Sequence, residues 1–277
     1  MMVSRQWRSL KTFTMSQSTT DLSEMSNTIH PTAILEGNIV LGHGNVIGPH
    51  VVMRGNITIG NNNKIDTGVV LENNVSIDRN NHIYAYASIG ALGEMGTKGD
   101  KFIEEGRVVI GNDVTIREFV CIHSPVYTME TAIHDKVYLM NKSYVAHDCI
   151  VGKGTVLSAG VLLAGRCVIG HHANLGLGAT VHQSTHIGAY AMIGMQAVIT
   201  ADIMPYATVV GNPARILGFN RRGVAPLGFE ENQLAEVEMF FSNFSYRDDE
   251  TDNPMIKEIN GFLLEHPDSL IKLAMRS

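Results

Sequence analysis

Cysteine and aromatic residues are scarce in this chain, and their scarcity excludes several kinds of protein. Its three cysteines are Cys121, Cys149 and Cys167, and no two of them form a CxxC pair. Neither a disulfide framework nor a cysteine zinc site is therefore expected. Aromatic residues make up only 6% of the chain, whereas glycine occurs 27 times. This composition favours a repetitive β architecture over a large globular core, and the cysteine usage fits a reducing, cytoplasmic setting.

The chain also lacks an excess of basic charge and a long apolar run. Its net charge is -6 and its isoelectric point is near 6.0, which argues against a nucleic-acid partner and against a polybasic membrane surface. No apolar run approaches the roughly 20 residues that a membrane-spanning helix needs. We therefore expect no transmembrane segment.

Residues 1–26 differ in composition from the rest of the chain. Arg5, Arg8 and Lys11 lie among serines and threonines, and no acidic residue precedes Asp21. The pattern has features of an organelle transit peptide, but it lacks a clear apolar face and a cleavage signal. We interpret residues 1–26 as a disordered segment or leader, or as the result of a start codon placed too early.

From residue 29 onward an aliphatic residue recurs at every sixth position, with two interruptions. Neither a helical period nor a heptad fits a repeat of six. Three hexads are predicted to form one triangular turn of a parallel β-helix, in which stacked turns pair as parallel strands around an aliphatic interior. The aliphatic positions are Ile29, Leu35, Leu41, Ile47, Met53, Ile59, Ile65, Leu71, Ile77, Ile83 and Ile89, then Ile110, Ile116 and Ile122, then Ile133, Leu139, Val145, Val151, Leu157, Leu163, Ile169, Leu175, Val181, Ile187, Ile193 and Ile199.

Two segments break this register. Residues 90–109 are polar and rich in glycine, and residues 123–132 form a shorter interruption. Loops that leave a solenoid often carry its function, so we expect both loops to lie near a functional site. Cys149 and Cys167 occupy small inward positions of the repeat and are predicted to be core residues.

Helical patterns follow the repeat, which ends near Gly211. Asn253 is predicted to cap a helix that begins at Pro254, and Pro267 is predicted to open a last short helix. The sequence therefore predicts a β-helix over residues 27–215 and a small α-helical domain over residues 216–277. The apolar residues that would share one face of the first helix are Leu234, Val237, Phe240, Phe241 and Phe244.

His147 is the sharpest candidate for a catalytic residue. It lies two positions beyond the inward Val145, so its side chain should face outward near a corner, and Asp148 follows it directly. Histidine is the natural general base near neutral pH, and the neighbouring carboxylate could orient its ring. No GxSxG serine and no pair of carboxylates offers a competing mechanism. Taken alone, a single outward histidine is more often a plain surface residue.

A set of short motifs favours a catalytic role for His147 over a plain surface position. They are IHPTA at Ile29–Ala33, YASIG at Tyr86–Gly90, IRE at Ile116–Glu118, AHDC at Ala146–Cys149, LAG at Leu163–Gly165, VHQ at Val181–Gln183 and RRG at Arg221–Gly223. Over roughly residues 26–277 the chain resembles the UDP-N-acetylglucosamine acyltransferases of lipid A biosynthesis. The resemblance implies a cytoplasmic homotrimer of left-handed parallel β-helices. It also implies an acyl donor carried on the phosphopantetheine of acyl carrier protein, with no other cofactor and no metal.

The same resemblance implies roles for individual residues. His147 would be the general base, Asp148 its partner, and the backbone N–H of Gly165 a donor to the developing oxyanion. Arg221 and Arg222 would hold the phosphates or the uridine of a nucleotide sugar. The full set of implied substrate contacts is His123, Tyr144, Arg166, His182, Gln183, Met195, Arg221 and Arg222.

Several positions depart from the family pattern. Tyr144 and Arg166 stand where the family has histidine, and Ala85 stands where it has glutamine. We therefore expect an intact acyl-transfer centre with an altered acceptor pocket, for UDP-N-acetylglucosamine or a modified nucleotide sugar such as an amino sugar. Met195 aligns with a position that limits acyl length in the family, so a short or medium acyl group is predicted.

Two other functions remain open from the sequence. A metal-dependent carbonic anhydrase built on the same coil would use histidines five residues apart, but Lys142 stands five residues before His147. A non-catalytic solenoid that only binds a partner is the second alternative. Turnover of acyl carrier protein thioesters would separate the enzyme from such a binding protein.

Overall fold

The six-residue repeat folds into short strands that stack 18 residues apart. Val46 pairs with Lys64, and Ile47 pairs with Ile65, in parallel register. Three hexads therefore make one turn, as the sequence predicted. The structure is a computed structural model that describes residues 26–95, 103–242, 251–267 and 269–270. The leader predicted over residues 1–26 lies almost wholly outside the described residues.

Most strands are only two residues long, because each flat side of the coil is short. The strands are β1 Thr28–Ile29, β2 Ile34–Leu41, β3 Val46–Ile47, β4 Val52–Ile59, β5 Lys64–Ile65, β6 Val70–Ile77, β7 His82–Ile83, β8 Ser88–Ala91, β9 Arg107–Ile110, β10 Thr115–Ile116, β11 Cys121–His123, β12 Glu130–Ile133, β13 Tyr138–Leu139, β14 Tyr144–Val145, β15 Ile150–Val151, β16 Val156–Leu157, β17 Leu162–Leu163, β18 Val168–Ile169, β19 Asn174–Leu175, β20 Thr180–Val181, β21 His186–Ile187, β22 Met192–Ile193, β23 Val198–Ile199, β24 Ala207–Val210 and β25 Arg215–Phe219. The helices are α1 Arg221–Val224, α2 Glu231–Ser242 and α3 Pro254–Glu265, with a 3-10 turn at Ala225–Leu227.

The strands form the three faces of a left-handed parallel β-helix, which confirms the predicted fold class. One face is the sheet β1-β3-β5-β7-β10-β13-β16-β19-β22-β24-β25. The other two faces are joined near the start of the coil, because the eight-residue strands β2, β4 and β6 run across a corner. Gly37 and Gly55 make that bend at φ of +101° and +109°, and a side chain at Gly37 would meet the backbone of Gly55.

The repeated aliphatics fill the interior of the coil. Residues such as Leu71, Ile116 and Leu163 have no exposed surface, and burying one such side chain contributes about 1.5–3 kcal/mol. Cys149 and Cys167 are likewise fully buried, which confirms that they are core residues.

The two predicted register breaks are loops that leave the coil between stacked strands. His82 of β7 pairs with Thr115 of β10, and Thr115 pairs with Tyr138 of β13, so both steps are longer than the usual 18 residues. The coil resumes its register after each loop, because the inward aliphatic column continues unchanged. Residues 96–102 of the first loop lie outside the described residues.

After the coil, β25 turns back on β24 in an antiparallel pair, so that strand structure continues to Phe219. Helix α2 packs there through the Phe241 ring, 6.1 Å from that of Phe219. The side chain of Asn253 accepts a hydrogen bond from the amide of Met255, which confirms the predicted cap of α3. Phe244 and most of the helix predicted after Pro267 lie outside the described residues. The described helices are at most 12 residues long, and none of them could cross a membrane.

A buried asparagine ladder stabilises one corner of the early turns. The side-chain oxygens of Asn45 and Asn63 each accept the amide of the asparagine 18 residues later, at 2.9 Å. The Asn63 amide group also donates to the carbonyl of Asp78 at 2.8 Å. Because Asn63 is only 1% exposed, water cannot replace these bonds.

We therefore expect Asn63→Ala to lower the free energy of unfolding by about 1–3 kcal/mol, since it leaves the buried amide of Asn81 without its acceptor. Asn56→Ala is the control, because the Asn56 side chain is exposed and its loss should cost less than about 0.5 kcal/mol. Denaturant unfolding measures both values. Equal losses for the two variants would contradict the ladder's role.

Candidate active site

His147 lies at a corner of the coil, directly after β14. Val145 points inward and is fully buried, whereas the His147 side chain points outward, as predicted. It is nevertheless only 12% exposed, because the second loop covers it. The Tyr127 ring of that loop lies edge-on to the imidazole, with 5.8 Å between the ring centroids. The site is therefore a covered recess on the outer surface of the coil.

Asp148 contacts both the His147 ring and the backbone of the second loop. Its Oδ2 lies 2.6 Å from Nδ1 of His147. Its Oδ1 accepts the amides of Val126, Tyr127 and Thr128 at 3.1, 3.0 and 2.7 Å, and the Thr128 hydroxyl at 2.7 Å. The contact with Asp148 places the proton of a neutral His147 ring on Nδ1, so that Nε2 carries the free lone pair.

The charge of Asp148 is stabilised by the same contacts. Burial of this carboxyl opposes its ionisation, but the hydrogen bonds from Thr128, His147 and the loop amides outweigh that effect and hold the pKa of Asp148 below its usual value. The carboxylate is therefore ionised at neutral pH. It can stabilise a positive charge on the imidazole when His147 accepts a proton.

Gly165 lies one turn above His147 and directly against its ring. A Cβ atom at Gly165 would lie 2.4 Å from Cε1 and 2.6 Å from Nε2 of His147. A glycine at this position therefore leaves room for the imidazole, whereas a larger residue would collide with it. Within the described part of the chain the amide of Gly165 donates no hydrogen bond. A free N–H group beside the imidazole is the arrangement that an oxyanion site requires.

His147 and Gly165 open into a cavity of about 390 Å³. The Arg166 guanidinium lies 5.3 Å above the centre of the Tyr127 ring and carries a positive charge into this cavity. The cavity therefore joins a base, a free amide and a cation in one recess. Its lining residues are Glu94, Met95, Tyr127, His147, Gly165, Arg166 and Gln183.

Tyr144 and His123 lie beside this cavity, and Tyr144 is hydrogen-bonded to Glu94, which lines it. The Tyr144 hydroxyl donates to Oε2 of Glu94 at 3.1 Å and lies 3.5 Å from Nδ1 of His123. Burial, followed by the charge of Glu94, raises the pKa of Tyr144, so its hydroxyl remains a hydrogen-bond donor at neutral pH. Tyr144 thus fixes the position of an acidic group at the edge of the cavity.

Three other predicted contacts lie apart from this cavity within the chain. Arg221 and Arg222 line a separate cavity of about 820 Å³ together with Asn174, Met192 and Tyr190. Arg221 forms an ion pair with Glu238, in which Nη1 and Oε1 lie 2.9 Å apart. Met195 occupies a corner above Leu177, and it is 69% exposed.

His182 is a neighbour of the cavity rather than part of its wall. Its side chain is exposed, and its Nδ1 lies 3.1 Å from the carbonyl of Gln183, which does line the cavity. Of the eleven residues that the resemblance assigned to the site, the structure brings together five at this cavity, namely His147, Asp148, Gly165, Arg166 and Gln183.

Residues from the two loops complete the site and were not identified from the sequence. Glu94 and Met95 come from the first loop, and Tyr127 and Thr128 come from the second. The two breaks in the repeat were the only signal for them. A break shows that a loop leaves the coil, but it does not show which loop residues return to the site.

We predict that Asp148→Asn destabilises the protein by about 1–3 kcal/mol at pH 7, because an amide cannot accept all the bonds of the carboxylate. The pKa of Asp148 is lower in the folded state than in the unfolded state, where it is about 3.9. Its ionisation therefore stabilises the fold above the unfolded-state pKa, and this contribution is lost as the pH falls through the folded-state pKa. The difference between wild type and Asp148→Asn should therefore shrink below about pH 4. Denaturant unfolding across pH measures this difference.

Asp252→Asn is the matched control, because the side chain of Asp252 is fully exposed. That change should alter stability by less than about 0.5 kcal/mol at any pH. A loss for Asp148→Asn that is the same at pH 3 and pH 7 would show that the charge of Asp148 contributes nothing to the fold.

Comparisons with known proteins show which family the chain resembles. No family model matches the chain. An acyl-(acyl-carrier-protein)–UDP-N-acetylglucosamine O-acyltransferase from Pseudomonas entomophila (strain L48) is 31% identical over 189 residues, which cover 67% of this chain and 71% of that protein. The protein of the same name from Verminephrobacter eiseniae (strain EF01-2) is 32% identical over 162 residues, and the chain spans 60% of its length.

A solved structure extends the comparison to nearly the whole fold. LpxA from Acinetobacter baumannii superimposes with a TM-score of 0.74 at 31% identity, over 87% of this chain and 93% of that one. The match therefore includes both the coil and the helices that follow it. The chain belongs to the family of acyl-(acyl-carrier-protein)–UDP-N-acetylglucosamine O-acyltransferases.

Proposed function

We propose that this protein transfers an acyl group from acyl carrier protein to a hydroxyl or amine of a UDP-N-acetylglucosamine-like nucleotide sugar, as in lipid A biosynthesis. The observation that carries the proposal is the contact of Asp148, His147 and Gly165, in which a positioned imidazole lies against Gly165, whose amide donates no hydrogen bond within the described part of the chain. The names of the relatives support the donor and the acceptor class. A cytoplasmic location is part of the proposal and rests on the family resemblance.

In the proposed reaction His147 acts as general base. Its Nε2 takes the proton of the acceptor hydroxyl while the oxygen attacks the carbonyl carbon of the acyl thioester. The carbonyl oxygen becomes an oxyanion and accepts a hydrogen bond from the amide of Gly165. When the intermediate collapses, the carbon–sulfur bond breaks and the departing phosphopantetheine thiolate receives the proton from His147. We propose that no acyl-enzyme forms, because none of the described residues that line the cavity is an activated nucleophile.

The acceptor pocket differs in charge from the family pattern. Arg166 adds a fixed positive charge beside Gly165, and Tyr144 holds Glu94 at the edge of the cavity. An arginine favours an acceptor or a donor that carries phosphate or carboxylate. We propose UDP-N-acetylglucosamine as the first acceptor to test and an amino-sugar analogue as the second.

The separated contacts suggest that a second subunit completes the site. Met195, Arg221 and Arg222 lie apart from the His147 cavity of their own chain, although the family resemblance assigns them substrate contacts. We propose a homotrimer in which a neighbouring coil supplies these groups and forms the other wall of the acyl groove. Acyl carrier protein would then bind beside two subunits.

The proposal predicts that His147→Ala retains its fold and loses about 10²–10⁴-fold in turnover, the range that general-base catalysis contributes. The assay measures transfer from acyl carrier protein thioesters to UDP-N-acetylglucosamine. His134→Ala is the control, because His134 is an exposed histidine on another part of the coil, and its turnover should match wild type. Near-normal turnover in His147→Ala would refute the base, and no turnover by wild type with either acceptor would favour a binding protein instead.

Met195 is proposed to limit the length of the acyl chain. Its long side chain is exposed on the coil, where it could fill the far end of a groove between subunits. A longer chain would lose burial worth about 0.8 kcal/mol for each methylene that does not fit. The alternative is that Met195 only packs against the neighbouring subunit.

We expect Met195→Gly to shift preference toward longer acyl donors, with little change in the rate for short ones. Comparing kcat/KM across a series of acyl carrier protein thioesters measures the shift. Met195→Leu keeps most of the side-chain volume and should keep the wild-type profile. An unchanged profile in Met195→Gly would show that this residue does not set the acyl length.

A further inference from the structure

Three side chains from distant parts of the chain meet where the end of α3 lies on the last turns of the coil. Nδ1 of His266 lies 3.1 Å from Oδ2 of Asp202, and Nδ1 of His186 lies 3.7 Å from Oδ1 of the same carboxylate. One ligand atom from each residue lies within 4.8 Å of the others. The family resemblance implied no metal, and these three residues are far apart in the chain and show no ligand spacing.

Asp202 is fixed in place before any ion binds. It is 5% exposed, and its Oδ1 accepts the amide of His186 at 2.7 Å. The hydroxyl of Ser269 donates to Oδ2, and the amide of Asp202 donates to the carbonyl of Ser269 at 2.7 Å. A carboxylate held by such outer contacts is oriented as metal ligands commonly are.

His186 contributes a buried ring nitrogen that no hydrogen bond within the described part of the chain satisfies. Its Nδ1 is buried and has no hydrogen-bond partner among the described residues. A buried polar atom without a partner is costly, and natural sites that contain one often bind a water molecule or an ion. A neutral imidazole can use such a nitrogen as a metal ligand.

We propose that His186, Asp202 and His266 bind one divalent transition-metal ion, for which Zn²⁺ has the best-matched chemistry. Zn²⁺ binds imidazole nitrogen and carboxylate oxygen at about 2.0–2.2 Å, so two of its ligands lie up to about 4 Å apart. The His266 and His186 nitrogens lie 3.1 and 3.7 Å from different oxygens of Asp202, and one ligand atom from each residue lies within 4.8 Å of the others, so an ion would draw the three groups slightly closer together. Ca²⁺ and Mg²⁺ are disfavoured, because they prefer oxygen ligands alone.

The ion would join the C-terminal helix to the coil. His266 lies at the end of α3, whereas His186 belongs to β21 and Asp202 follows β23. His186 and His266 also line a neighbouring cavity of about 450 Å³, from which a water molecule would supply a further ligand to the ion. This cavity shares no residue with the His147 cavity, so the metal site is independent of the proposed acyl transfer.

The test uses the full-length chain without a histidine tag, stripped with EDTA and returned to EDTA-free buffer. Titration with ZnCl₂ in a calorimeter should show one ion per chain. A free Zn²⁺ concentration of about 100 times Kd should raise Tm by about 5–10 °C. Replacement by Co²⁺ should give a visible absorption band of a nitrogen- and oxygen-ligated ion.

Variants distinguish Zn²⁺ binding at this site from Zn²⁺ binding to other histidines on the surface. His266→Gln should weaken Zn²⁺ binding by more than the roughly 10–100-fold that loss of an outer contact costs, and Ser269→Ala should weaken it by about that amount. His171→Gln is the matched control, because His171 lines the same cavity without belonging to the cluster, and its affinity should equal that of wild type.

Two results would overturn the proposal. Wild type that binds no Zn²⁺ at one equivalent, with an unchanged Tm, would show that the three groups form only an ion-pair network. Equal binding by wild type, His266→Gln and His171→Gln would place the ion on other histidines. Should His266→Gln fail to fold, an affinity for Ser269→Ala equal to that of wild type would by itself exclude the site.

Discussion

The stacking of one hexad on another, 18 residues apart, is the constraint on which the rest of this structure depends. Each inward aliphatic contacts the equivalent aliphatics of the turns above and below, and the strands on either side pair through their backbones. A residue 18 positions further on is therefore held at nearly the same place on the next turn. His147 and Gly165 are separated by that interval, so their contact follows from the repeat itself.

Asp148 couples this rigid coil to a loop that the repeat does not specify. The carboxylate orients the His147 ring through one oxygen, and it accepts three loop amides mainly through the other. The loop in turn covers the imidazole with Tyr127 and reduces its contact with water. One buried charge thus fixes the tautomer of the His147 ring and holds the loop over it, and the ionisation of Asp148 depends in turn on the same hydrogen bonds.

The sequence predicted the features that arise from short-range pattern. The period of six was sufficient for the coil, the buried Cys149 and Cys167, and the outward direction of His147, because each depends only on position within a hexad. Glu94 and Tyr127 could not be predicted, since a loop outside the repeat has no register. The contact between His186 and His266 could not be predicted either, because it depends on how α3 packs against the coil.

The residues that were predicted to contact substrate lie at different corners of the coil, and therefore on different edges of one chain. Amide hydrogen bonds between turns stack His147, Gly165 and Ser184 along one edge, and they stack Leu177 and Gln196 along another. Met195 lies beside Gln196 on that second edge, where it cannot reach the His147 cavity of its own chain. Under the proposed function, a substrate that contacts both edges would therefore lie between two coils. The rigidity of the coil fixes each of these residues to its own edge, so the proposed homotrimer would bring the second edge to the His147 cavity from a neighbouring chain.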